Sequence, residues 1–131
     1  MSRVVRAETT RAGQLPAVAA VMSAAFLLAA ATGLASLVVS ALPQLSFAQS
    51  LAYAGLGVWG WNISRTVPGA QRFLRGTGVA CLVLWFVGVF GGRDVPFGLL
   101  GLEPVDNLVH LGVAILALLL ATIVSPRLTV D

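Results

Sequence analysis

The chain has 131 residues, of which 58% are hydrophobic and only 10% charged, whereas a soluble domain carries about 25% charged residues. So much apolar surface in so short a chain has no core to hide in unless lipid is the solvent, which leaves room for one membrane domain and no second folded unit. The formal charge is +3 and every basic residue is arginine; because the arginines flank apolar runs, they fit orientation in a bilayer and not nucleic-acid binding. The single cysteine, Cys81, can form no internal disulfide and no cysteine metal cluster, and reads as a small packing residue.

No charged side chain occurs from residue 12 to residue 64, between Arg11 and Arg65. A charge at mid-bilayer costs roughly 3 kcal/mol on insertion scales, and about 20 residues cross the hydrocarbon core. The stretch therefore holds two crossings and a turn. The first helix is expected over 16–42, with Pro16 at its start, where no donor is needed, and Pro43 as its stop. A secretory signal would need a core of only about 7–15 apolar residues, so the longer run reads as an uncleaved helix. The second helix is expected over 45–63, closed by Trp59 and Trp61 at an interface. The third is expected over 76–92 and the fourth over 107–125, with Pro126 beyond it. The transmembrane domain then covers 15–126, with tails at 1–14 and 127–131.

The arginines orient these four crossings. Arg3, Arg6 and Arg11 precede the first helix, Arg65, Arg72 and Arg75 lie between the second and third, and Arg127 follows the fourth. All seven fall on one side, while Arg93 stands on the other with Asp94, Glu103 and Asp106. The positive-inside rule makes the arginine-rich side cytoplasmic. The expected fold is all-α: a polytopic membrane protein, four transmembrane helices in a bundle, both termini cytoplasmic, in a bacterial inner membrane.

Small residues at four-residue spacing let helices approach closely in lipid. Gly33, Gly55, Gly57, Gly88 and Gly92 are the candidate packing glycines, with Ala114, Ala117 and Ala121 on one face of the last helix. They serve either packing within one subunit or a dimer interface. The third helix, with Val83, Leu84, Trp85, Phe86, Val87 and Phe90, reads as the most lipid-facing.

One polar constellation stands out. Asp106 suits the N-cap of the fourth helix, and Asn107 and His110 share a face three residues apart. His110 also lies on the face of Ala114, Ala117 and Ala121. An ionisable group inside a membrane domain suggests a proton site or ligand; the plainer reading is a tie at the membrane edge, where water is at hand. One histidine with Asp106 and Glu103 is thin for zinc, which takes at least three protein ligands. The loop from Gly91 to Val105 is apolar but broken by glycines, and suits an interfacial or re-entrant segment.

The block Gly98-Leu99-Leu100-Gly101-Leu102-Glu103-Pro104, followed by Asp106-Asn107-Leu108-Val109-His110-Leu111, resembles a family of small bacterial four-helix membrane proteins that carries only an unknown-function label. The resemblance covers the third and fourth helices and extends to the second. It implies the fold and no known activity. Members often show a second Asn-x-x-His opening the second helix, where this chain has Gln49 and Tyr53 and no histidine. Gln49 and Tyr53 thereby join Asp106, Asn107 and His110 as polar-site candidates.

These observations point to a non-enzymatic structural or accessory subunit acting through helix packing, with the lipid bilayer and a homo-oligomer or larger membrane complex as partners. No cofactor and no nucleic acid is expected. A small transporter or channel using His110, and a membrane redox or metal-binding subunit, are the alternatives.

Overall fold

A computed structural model describes residues 3–42, 45–90 and 104–123, with side chains from Gly13 onward. The described residues form four helices: α1 (Arg3–Ser36), α2 (Phe47–Ile63), α3 (Val67–Phe90) and α4 (Pro104–Ile123). Three are long and apolar enough to cross a membrane, through Gly13–Ser36 of α1, Val67–Phe90 and Pro104–Ile123. At 17 residues α2 is not among them.

Helix α1 departs from the expected 16–42 at both ends. It starts at Arg3, so the expected tail 1–14 is mostly helical, and Pro16 lies inside the helix. Alanine, glutamate and arginine in that segment are good helix formers, and a proline deletes only one backbone bond when the flanking turns hold. The helix stops at Ser36, whose hydroxyl bonds back to the Gly33 carbonyl at 2.6 Å. Beyond it the chain turns, with Val39 N–H on the Ala35 carbonyl at 2.9 Å. The β-branched pair Val38-Val39 is poorly suited to extend the helix. The expected turn at Pro43-Gln44 lies outside the described residues.

Helix α2 opens on Ser46, whose side chain accepts from the Gln49 N–H at 3.1 Å. That bond satisfies one of the orphan donors of the first turn. Helix α3 begins nine residues before the expected Gly76. Thr66 caps it by accepting from the Gly69 N–H at 3.2 Å, and Pro68 sits in the first turn, where its missing donor costs nothing. The added turns are amphipathic: Ala70, Phe73, Leu74 and Thr77 are buried, while Arg72 and Arg75 are exposed. The two arginines interrupt the apolar run without interrupting the helix. Helix α4 starts at Pro104, so Asp106 lies inside its first turn and is not the N-cap. Residues 104 and 105 thus leave the expected loop; its remainder, 91–103, is outside the described residues.

The most extensive packing joins α1 to α2 and α3 to α4, and α3 also packs on α1 and α2. The core is formed by Leu15 and Ala19 of α1, Ala70, Phe73 and Leu74 of α3, and Ala117 and Ala121 of α4, with Ile63 of α2 against it. It sits at the end of the bundle where Arg65, Arg72 and Arg75 lie. This corrects the expectation that the third helix faces lipid most. Its first half is the centre of the core, and only its second half turns Val83, Phe86 and Phe90 outward, with Leu84, Trp85 and Val87 half-buried.

Glycines set the closest approaches. A Cβ on Gly57 would strike Leu27, one on Gly33 would strike Ser50, and one on Gly60 would strike both Ser23 and Phe73. Gly55, expected to pack, has nothing within 4 Å of an added Cβ among the described residues. Gly92 lies outside the described residues.

A buried polar line between two hairpins

The polar site lies at the end of the bundle away from the core. His110 is six residues past the start of α4, about 9 Å along the axis. Tyr53 is six residues past the start of α2, at a similar depth. Because α4 starts three residues before the expected 107, His110 lies in its second turn and not at its start, and only 3% of its surface is exposed.

His110 Nε2 and the Tyr53 hydroxyl lie 3.3 Å apart. Gln49 Nε2 donates to the same hydroxyl at 3.4 Å, and Gln49 is 5% exposed. Gln49 and Tyr53 reach each other because they are one helical turn apart. The three side chains form a line across the gap between the α1–α2 hairpin and the α3–α4 hairpin. A phenol has one proton and two acceptor positions, and the imidazole tautomer sets which group donates. With Nε2 bare, the Tyr53 O–H donates to it; with Nε2 protonated, the imidazole donates to the Tyr53 oxygen. Nδ1 of His110 has no hydrogen-bond partner among the described residues. Phe26 of α1 packs on the Tyr53 ring at 5.7 Å between centroids, which holds the phenol in place.

The other two candidates part from this line. Asn107 turns to α3, where its amide occupies the space that a Cβ on Gly88 would need, and its Oδ1 has no partner among the described residues. Asp106 is half-buried in the first turn of α4. The structure thus brings together Gln49, Tyr53 and His110, and sets Asn107 against Gly88. Below His110, Ala114, Ala117 and Ala121 are fully buried. Gly78 lies against Leu118 and the Ala114 carbonyl, so α3 and α4 meet backbone to backbone.

Sequence reasoning passed over several buried hydroxyls, Ser23, Ser50 and Thr77 among them. Ser23 bonds the Ala19 carbonyl at 2.7 Å and Ser50 bonds the Ser46 carbonyl at 3.1 Å. Each faces a glycine on the neighbouring helix, Gly60 and Gly33. Thr77 is buried with its hydroxyl unpaired among the described residues. A serine that can bond back one turn, placed in an apolar helix, is the signal that finds the first two. No three His, Cys, Asp or Glu side chains come together as a metal-ligand set among the described residues.

No curated protein and no solved structure matches the chain. From residue 16 to residue 123, which takes in the whole polar line and all but the first turns of the bundle, the sequence matches one family throughout. The chain belongs to the family described as a domain of unknown function (DUF4383).

Proposed function

We propose that this is a four-crossing protein of the bacterial inner membrane, with both termini cytoplasmic, that works without catalysis as a structural or accessory subunit. The observation that carries this reading is the hydrogen bond between Tyr53 and His110. It employs the chain's one histidine as a clasp between two hairpins, the use expected of polar side chains between membrane helices. The outer faces of the helices are apolar, with Val21, Leu51, Val58, Phe86, Leu108 and Leu119 exposed. Such faces suit lipid and neighbouring membrane helices.

The fourth crossing is α2. It packs along α1, carries no charge, and its exposed Trp59 and Trp61 lie near the end where Arg65, Arg72 and Arg75 are exposed. An aromatic pair beside arginines is the composition of a cytoplasmic interface. The test is to isolate the full chain from native membranes in mild detergent. A second copy or a stoichiometric partner protein is expected, and a lone monomer overturns the reading.

A second reading, a small transporter or channel, is favoured by one observation: an ionisable side chain is buried inside an apolar helix, hydrogen-bonded to Tyr53, which Gln49 bonds in turn. Membrane proton and ion paths are built from such groups. Purified protein in liposomes would then carry a pH- or ion-dependent flux that His110→Ala abolishes; liposomes that stay tight remove this reading.

A further inference from the structure

Helices α1 and α4 stand apart, and the space between them is a groove of about 400 Å³. Its walls run from Val18 to Ala29 on α1 and from Val109 to Leu120 on α4, a length of about 17 Å at the helical rise per residue. Every lining residue is apolar except Tyr53. Small-ligand sites have this character: roughly 300–1,000 Å³, mostly apolar, with a few placed polar groups.

The dimensions decide what can enter. A helix with its side chains is about 10–12 Å across, so a 17 Å length of one occupies roughly 1,300 Å³ by that diameter, more than the about 880 Å³ of open space between α1 and α4. A second helix would lie over the groove and leave it unfilled. A hydrocarbon tail arriving sideways from the bilayer fits between the two walls.

The polar end is also specific. The Tyr53 oxygen offers three hydrogen-bonding positions, one donor and two acceptor. His110 Nε2 and Gln49 Nε2 take two of them. One is left, on the only polar side chain that lines the groove among the described residues. The imidazole tautomer of His110 decides which position that is. One tautomer frees the Tyr53 proton for a carbonyl, and the other frees an acceptor position for a hydroxyl.

The geometry points to a binding site in this groove for a lipid that ends in a single carbonyl or hydroxyl oxygen, with the oxygen on Tyr53 and the tail between α1 and α4. This goes beyond the accessory-subunit reading and does not rest on it.

The test uses the full chain in phosphatidylcholine vesicles and three photoactivatable probes with the same diazirine-bearing tail: a long-chain alcohol, the matching ketone and the matching alkane. At least one oxygen probe is expected to label peptides holding Met22 and Val113 about three- to tenfold more than the alkane, the range of one hydrogen bond. The probe that prevails tells a hydroxyl lipid from a carbonyl lipid. Tyr53→Phe is expected to bring the oxygen probes down to the alkane level, and Ala25→Trp to block all three in the groove. Oxygen probes that never exceed the alkane, labelling spread evenly around the bundle, or a groove closed by a second protein chain each overturn the site. If Tyr53→Phe does not fold, competition on the unaltered protein decides: unlabelled octadecanol or its ketone displaces the label and octadecane does not, and equal displacement overturns the proposal.

Discussion

The phenol of Tyr53 on α2 and the imidazole of His110 on α4 meet at 3.3 Å, and their hydrogen bond ties one helical hairpin to the other. The two residues stand 57 positions apart in the chain. Each hairpin is held internally by glycine contacts, Gly57 on Leu27 in one and Gly78 on Leu118 in the other. At this end of the bundle the clasp links α4 to α2, while α1 and α4 remain separated by the groove.

The first prediction concerns the clasp. Interhelical hydrogen bonds in membranes contribute about 0.6 kcal/mol on average and up to about 1.7. Tyr53→Phe, His110→Phe and the double variant form a cycle that isolates the pair. A coupling of about 0.5–1.5 kcal/mol is expected from detergent-unfolding midpoints. Independent, additive losses would mean that the two groups do not act on each other.

Glycines supply the second prediction. At Gly60 an added methyl strikes Ser23 on α1 and the Phe73 ring on α3, so three helices meet there. Gly60→Ala is expected to cost about 1–3 kcal/mol, the usual range for overpacking. Gly55 has open space around it among the described residues, and Gly55→Ala is expected to stay within about 0.5 kcal/mol of the parent. Thermal unfolding of both variants in one detergent makes the comparison, and equal losses would contradict the packing described.

The third prediction tests the early start of α3. Thr66 caps the helix through the Gly69 N–H. Thr66→Ala is expected to destabilise by about 1 kcal/mol and Thr66→Ser to restore most of it. Circular dichroism and unfolding midpoints report both. If α3 began at Gly76, neither substitution would register.

Much of the fold was legible because hydropathy and helix-breaking are local properties. The run without charge marks the α1–α2 pair, and helix boundaries erred where a local cue misled. Pro16 reads as a start but is carried inside α1. Arg72 and Arg75 read as loop but occupy the exposed face of an amphipathic helix whose other face is Phe73, Leu74 and Thr77. The spacing of those buried positions, together with Thr66 and Pro68, carries the correct start. Of the candidate site, the polar residues were visible as types in an apolar chain, but their grouping was not. Asn107 and His110 share a face of α4, yet one turns to Gly88 on α3 and the other to Tyr53 on α2.

The amino-acid sequence by itself determined that this is a helical chain apolar enough to cross a membrane, with little chemistry to spread around. The scarcity of charge, the lengths of the apolar runs and the one histidine follow from composition and order alone, because lipid penalises charge residue by residue. The tertiary structure decided where that scarce chemistry converges. The Gln49–Tyr53–His110 line, the groove beside it and the contact of Asn107 with Gly88 depend on how helices distant in the chain are rotated and offset against one another. Rotation and offset are set by where small residues allow close approach, and neither is a property of any single segment.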